Sequence, residues 1–430
     1  MTDYTKFDPA NPPPPLMTGE PNSFAYKTMT TRIPAIVKQV LADHRDKHPD
    51  TIKHALQSLH DEIKTGQPMR PLETDAADGP SWGEAYRPYA GKSWLNVPWY
   101  FAEAFLYRRL LQASGFFGGF GDYWEGNDPF IHRKLEELQS ETPWQLFIAA
   151  LHDTEKNSAD AFRTLLHYCV WGNRIDLSYN QIAEATGRDI AIENEQSNLL
   201  VDDTETVLAH LLQQDSPAEA QRNSLSAMLP DSFIPSVTPP ICIDVICDNT
   251  GTELLLDLAL SDFFLRHNWA QQITLHLKSH PTFVSDAVPR DIKLTLDAIS
   301  RYPKADLSAI ATRLNTFINN GRLDIKASLF WNSSCFFWEI PASLQTQLAQ
   351  AHLVIIKGDA NYRRLLGDSR WPTTVPVRDA IPYFPTSFVA LRTMKSDPIV
   401  GLKPGLAEML DKEDSEWRVN GKRGIIQAVI

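Results

Sequence analysis

Residues 241–254 read Ile-Cys-Ile-Asp-Val-Ile-Cys-Asp-Asn-Thr-Gly-Thr-Glu-Leu, and the pattern changes character twice within them. Ile241 to Cys247 form a short, β-branched, apolar run, which marks a buried strand. The run stops at Asp248-Asn249-Thr250-Gly251, a turn-forming cluster, and Leu254, Leu255, Leu258 and Phe264 then recur at helical spacing. Strand, turn and helix in that order open a parallel α/β sheet.

Outward from this unit toward the C-terminus, further strands are expected at 273–277, 283–285, 323–325, 353–356, 388–391 and 424–430. Helical patterns separate them at 290–300, 307–318, 344–349 and 405–410. Toward the N-terminus the signal is almost wholly helical: an apolar stripe from Ile33, then 99–112, 143–150, 158–170 and 204–212. Pro12 to Pro15 form an extended arm ahead of the first helix. The expected fold class is therefore α/β, with a helical N-terminal part (residues 1–235) on an α/β/α three-layer core (residues 236–430) whose sheet is mostly parallel.

The 430 residues are 43% hydrophobic, enough for a large core in two lobes or one extended domain. A formal charge of −12 argues against a non-specific grip on nucleic acid or on an anionic membrane. The four cysteines contain no CxxC pair, and no basic start with an apolar stretch opens the chain. A reducing cytoplasm is the expected location, with neither export nor membrane insertion. P-loop, HExxH and GxSxG patterns are missing, and the twelve histidines are scattered.

In an open α/β sheet, ligands gather outside the carboxyl ends of the strands. Four expected strand ends carry polar residues: Asp248-Asn249, Asp286, Lys357-Gly358-Asp359, and Arg392-Thr393-Met394-Lys395. An Asp-Asn pair with a second Asp supplies hard oxygen ligands suited to Mg²⁺ or Mn²⁺. Lys357, Arg363, Arg392 and Lys395 supply cations for a phosphate. Each group also has a plainer reading, as turn caps for the acids and surface charges for the cations.

Taken together, these residues resemble a known family, the metal-dependent damage-control phosphatases, and within it the subfamily related to acidic-residue methyltransferases. The match runs from Ser23-Phe24-Ala25-Tyr26 through Glu103, Tyr107-Arg108-Arg109 and Trp171-Gly172-Asn173-Arg174-Ile175-Asp176. It continues through Asp248-Asn249-x-Gly251-x-Glu253, Phe283-Val284-Ser285-Asp286 and Lys357-Gly358-Asp359-x-Asn361-Tyr362-Arg363. Arg392-Thr393-Met394-Lys395, similar to that subfamily's RTxK motif, is its most specific part.

The resemblance implies a phosphomonoesterase of small phosphorylated metabolites, with sugar phosphates such as fructose 1-phosphate or fructose 6-phosphate as expected substrates. It implies a divalent metal, Mn²⁺, Ni²⁺ or Co²⁺, on Asp248, Asn249 and Asp286, which are also the catalytic residues. Substrate contacts are implied for Asp248, Asn249, Asp359, Ala360, Asn361, Tyr362, Arg363 and Lys395, although Ala360 is smaller than the aliphatic residue expected there. Glu103, Asn173, Asp176, Lys357 and Arg392 form a second tier, Glu103 being equally readable as a buried partner of Arg108 or Arg109. Direct attack by water and a phosphoaspartate on Asp248 both stay open. A carboxyl methyltransferase using S-adenosylmethionine is the alternative activity, but no glycine-rich loop follows the first strand.

Overall fold

The computed structural model describes residues 5–44, 47–119, 124–152, 154, 157–172, 197–212 and 240–430. Asn173 and Asp176 lie outside them. Seven strands form one sheet: β1 (Leu199–Asp202), β2 (Cys242–Ile246), β3 (Gln272–Lys278), β4 (Leu323–Ser328), β5 (Leu353–Lys357), β6 (Phe388–Thr393) and β7 (Gly424–Val429). Their order is β1-β7-β6-β5-β2-β3-β4. Every neighbouring pair is parallel except β6 with β7.

The chain runs from β2 outward to β3 and β4, then returns to place β5 on the other side of β2. Strand order thus reverses between β2 and β5, so the loops leaving their carboxyl ends diverge and open a crevice. Alternation along the strands sorts their side chains into two cores. Ile243, Val245, Leu353, Ile355, Val389 and Leu391 share one core with helices Ala159–Trp171 and Thr252–Arg266. Ile246, Val354, Ile356, Phe388 and Ala390 share the other with Trp331, Phe337, Leu348 and Leu365. The architecture is α/β/α.

A third core joins the N-terminal helices, including Ile33–Asp43, Asp50–Lys64 and Trp99–Ala113, and takes in Phe283, Val284 and Phe336 from the sheet's loops. The helical part therefore sits on the sheet, as expected, and meets the loop that precedes Asp286. The change of pattern near residue 235 is not a packing boundary, however. β1 comes from before it and pairs with β7, while helices Glu141–His152 and Ala159–Trp171 pack on the Thr252–Arg266 helix.

One expected strand is absent. Residues 283–285 form a turn, with φ at +45° for Phe283 and +72° for Val284, and positive φ is strained for a β-branched residue. The turn is pinned by Thr250 N–H to Ser285 O (2.7 Å) and Ala287 N–H to Asp248 O (2.8 Å). Those bonds bring Asp286 beside Asn249 in an isolated antiparallel bridge. Among the described residues no helix is long and apolar enough to cross a membrane.

The N-terminal core is itself fixed by buried ion pairs. Arg108 donates from Nε and Nη2 to Asp78 at 2.6 and 2.8 Å, and both residues are buried. Removing one partner of such a pair leaves an uncompensated buried charge, costing about 3–5 kcal/mol. Arg108→Ala should therefore lower the urea midpoint sharply. Arg163→Ala, whose partners Asp160 and Glu205 stand in solvent, should leave it nearly unchanged, and equal effects would contradict this weighting.

Candidate active site

Asp248 lies two residues past the end of β2 and is almost fully buried. Its Oδ2 accepts from Asn249 Nδ2 at 3.1 Å, while its Oδ1 has no hydrogen-bond partner. The Asn249 amide is held at both ends: Nδ2 also donates to Glu253 Oε2 at 3.0 Å, and Oδ1 accepts from Ser285 Oγ at 2.6 Å. Asp286, buried to 1% exposure, pairs through Oδ2 with Lys278 Nζ at 3.2 Å. Three carboxyl groups, from Asp248, Asp286 and Glu253, thus crowd the crevice between β2 and β5.

The crowding shows in their proton affinities. Burial, reinforced by Asp286 and Glu253 and opposed by Lys278, pushes Asp248 well above the ordinary carboxylate range. Burial also pushes Asp286 up, to about 6, against the pull of Lys278 and Lys134. Such a site favours a proton or an added cation over two bare carboxylates.

Gly358, at the end of β5, closes the crevice from the other side. It has φ +82°, and a Cβ there would stand 1.9 Å from Asp248 Oδ2, so no other residue fits. The short helix Asp359–Leu365 starts from it. Asn361 Nδ2 reaches back to Cys247 O (3.3 Å) and Lys357 O (2.9 Å), fastening the carboxyl ends of β2 and β5 together.

Lys395, three positions past Arg392 in the segment after β6, is half-buried. Burial lowers its pKa, and Glu253, Asp359 and Asp248 pull it back up. Its ammonium therefore lies within electrostatic reach of the acid cluster.

Other expected residues are engaged elsewhere. Lys357 turns beneath the sheet edge, donating to Cys169 O at 2.8 Å and pairing with Asp257 at 2.8 Å and Glu253 at 3.6 Å. Arg392 holds Asp359 at 2.7 Å and Ser396 O at 2.8 Å, and Asp359 also accepts from the Lys395 N–H at 3.0 Å. Burial raises the Asp359 pKa, but Arg392 and Arg363 outweigh it and hold the group ionised. The Tyr362 hydroxyl donates to Gln427 at 2.7 Å, away from Asp248. Ala360 offers a methyl group only.

Arg363 is gripped by Asp368 at 2.8 and 3.0 Å and by Glu103 at 2.7 Å, with its guanidinium 3.7 Å over the Trp99 ring. Glu103 thus pairs with Arg363 rather than with Arg108 or Arg109, which bind Asp78 and Glu62.

Four further residues complete the site. Glu253, in the turn motif after β2, accepts from Asn249 Nδ2 and pairs with Lys357. Lys278 follows the expected strand 273–277 directly, so the strand-end rule that marks Asp248 marks it too. Lys134 donates to Asp286 O at 3.0 Å and to Asp291 at 2.8 Å, supporting the Asp286 turn from the Ile131–Gln139 helix. Glu137, on the same helix, caps Thr252 N–H at 2.9 Å. Nothing in the local sequence points Lys134 or Glu137 to a loop more than a hundred residues away.

Comparison with known proteins follows the same stretch of chain. The family described as Damage-control phosphatase ARMT1-like domain matches residues 28–410. The chain is 29% identical over 453 residues to Damage-control phosphatase ARMT1 of Rattus norvegicus, covering 97% of this chain and 99% of that protein. It is 28% identical to the protein of the same name from Xenopus laevis, with the same coverage, and 29% identical to that of Homo sapiens, covering 94% and 96%. A DUF89 family protein from Pyrococcus horikoshii gives a TM-score of 0.46 at 13% identity, over 94% of this chain and 96% of that one.

The raised pKa of Asp286 sets a pH dependence in metal-free protein. A carboxyl whose folded pKa lies near 6 rather than its ordinary 3.8 contributes stability below about pH 4, and loses it as pH rises through 6. Asp286→Asn mimics the protonated form, so its stability relative to the parent should improve between pH 4 and 7.5 by about 2 kcal/mol. Urea midpoints in chelator at both pH values measure this, and a difference independent of pH would contradict it.

Proposed function

The chain belongs to the Damage-control phosphatase ARMT1-like domain family, and from that membership we propose that it is a metal-dependent hydrolase of phosphomonoesters on small metabolites. The observation that carries the proposal is Asp248 Oδ1, a buried carboxylate oxygen without a hydrogen-bond partner, among two further acids. A buried acceptor in that state calls for a cation.

The donor set fits a divalent metal. Asp248 and Asp286 offer hard oxygens, suited to Mn²⁺, Co²⁺, Ni²⁺ or Mg²⁺. Asn249 presents its nitrogen to the two carboxylates and its oxygen to Ser285, so it would contribute through the second lone pair of Oδ1 or through a turned amide. Among the described residues no three His, Cys, Asp or Glu side chains converge as a metal-holding group, so a cation here would rest on two carboxylates, the Asn249 amide and ligands from outside the protein. When bound, the metal supplies Lewis-acid stabilisation of charge on the phosphoryl oxygens.

The chain's own groups would do the rest. Lys395 opposes negative charge developing at the phosphoryl group. At the start of the Asp359–Leu365 helix, beside Gly358, backbone N–H groups would donate to phosphoryl oxygens. Arg363 and Arg392, clamped by Asp368, Glu103 and Asp359, position that helix and the Lys395 segment. Sugar phosphates, fructose 1-phosphate and fructose 6-phosphate among them, are the proposed substrates. Carboxyl methyl transfer gains no support from the turn after β2, whose Gly251 packs against the Glu137 carboxylate.

Exhaustive chelation should abolish phosphatase activity, and Mn²⁺, Co²⁺ or Ni²⁺ should restore it; full activity in chelator would sink the proposal. Lys395→Ala should reduce kcat/KM by roughly tenfold to a hundredfold, the worth of one charge-assisted contact made in the transition state. Its metal affinity should be nearly unchanged, whereas Asp248→Ala should lose both. A parental rate for Lys395→Ala would move the phosphoryl site elsewhere.

A further inference from the structure

The helix Trp99–Ala113 turns one face to the loops at the strand ends: Tyr100, Glu103 and Tyr107 recur at i, i+3 and i+7, and all three are buried. Glu103 is engaged by Arg363. The Tyr100 ring touches both segments that shape the site. It stacks against Phe283, in the turn that precedes Asp286, with ring centroids 6.1 Å apart and planes at 28°. The Arg363 guanidinium lies 5.2 Å from its centroid, and Phe336 packs against it at 5.8 Å. Tyr107 meets Phe283 as well, at 5.0 Å.

This packing fixes the ring and leaves its hydroxyl over. Tyr100 is 1% exposed, and among the described residues its buried hydroxyl has no hydrogen-bond partner. A buried O–H without an acceptor loses its hydration for nothing, so it marks a position that a guest completes. Asp286 and Asp248 act on Tyr100 through charge, which puts it within electrostatic reach of the acid cluster. Asp248 Oδ1 is likewise buried without a hydrogen bond. A cation satisfies that carboxylate but leaves the hydroxyl unmet, because an O–H donor needs an acceptor oxygen. A guest that completes both presents positive charge to Asp248 and an oxygen to Tyr100. Burial raises the Tyr100 pKa, opposed by Arg364 and Arg363 and reinforced by Asp286 and Asp248, so the hydroxyl keeps its proton and serves as a donor, not as a base.

We propose that Tyr100 is a further catalytic residue, whose hydroxyl donates a hydrogen bond to a non-bridging phosphoryl oxygen of the substrate. The proposal rests on the phosphatase reading and adds to it a neutral donor carried by the helical part of the chain. The N-terminal helices then do more than cover the sheet. Through Phe283 the donor is seated on the same turn that presents Asp286, so the two groups are held in one relation to each other. The contact is made to substrate and product alike, and it therefore shows in the affinity for inorganic phosphate.

Tyr100→Phe deletes the hydroxyl and keeps the ring. Three quantities are measured on the full chain: the urea midpoint, the affinity for inorganic phosphate by calorimetry with Mn²⁺ present, and kcat/KM for p-nitrophenyl phosphate. The variant should bind phosphate roughly tenfold to a hundredfold more weakly, as expected for losing a hydrogen bond to a charged group, and kcat/KM should fall at least as far. Its urea midpoint should equal or exceed the parent's, since an unsatisfied donor has left the interior. Tyr86→Phe is the control: that hydroxyl donates to Met69 O at 2.7 Å, so its loss should lower the midpoint and leave phosphate affinity unchanged. Phosphate bound equally by the parent and Tyr100→Phe would show that the hydroxyl meets only water, and would overturn the proposal. So would a lowered midpoint in Tyr100→Phe, which would give the hydroxyl a structural partner. If the parent hydrolyses no phosphomonoester, the phosphatase reading fails; phosphate binding weakened in Tyr100→Phe still supports the contact, whereas a parent that binds no phosphate refutes it.

Discussion

The end of β5 can approach the end of β2 only because residue 358 carries no side chain. A Cβ on Gly358 would stand 1.9 Å from Asp248 Oδ2, inside any van der Waals contact, and the rest of the site is arranged around that approach. It lets Asn361 tie the two strand ends with one amide, and it starts the Asp359–Leu365 helix beside the acid cluster. It also leaves one oxygen of Asp248 buried and without a hydrogen bond. A fold that seals a carboxylate this way pays in stability unless something positive arrives.

The positive groups already present are divided by role. Lys278 and Lys134 hold the Asp286 turn, one by its carboxylate and one by its carbonyl. Lys357, Arg363 and Arg392 are taken up in buried ion pairs that fix the surrounding segments. Buried pairs contribute less to net stability than their number suggests, because both charges are desolvated. Their effect here is geometric: they hold the helix after Gly358 and the segment bearing Lys395 in one relation to Asp248. Lys395, half-buried, is a further cation on which Glu253, Asp359 and Asp248 act through charge.

Much of this was legible in the sequence where the signal is local. The runs around Ile243, Leu353 and Phe388 alternate or continue as buried strands must, and the strand-end rule placed Asp248 and Lys395 at one edge of the sheet. Four-residue β1 carries too little periodicity to be found, and its partner β7 is more than two hundred residues away. The segment 283–285 has strand composition, yet its hydrogen bonds to Thr250 and Asp248 impose a turn. Side-chain direction was the least accessible: Lys357 and Arg392 stand at the expected strand ends but turn to Asp257 and Asp359. Glu103 meets Arg363 across 260 residues, a separation over which no sequence pattern speaks.

The central claim is that the cluster at the junction of β2 and β5 is a cation site. Crystals of the protein grown with Mn²⁺, and measured for anomalous scattering from manganese, test it most directly. The account predicts one strong anomalous peak bonded to Asp248 Oδ1 and to Asp286, with Lys278 displaced from or sharing the Asp286 carboxylate. Crystals saturated with metal that show no peak there, with Asp248 instead protonated and hydrogen-bonded to a neighbouring carboxylate, would contradict it.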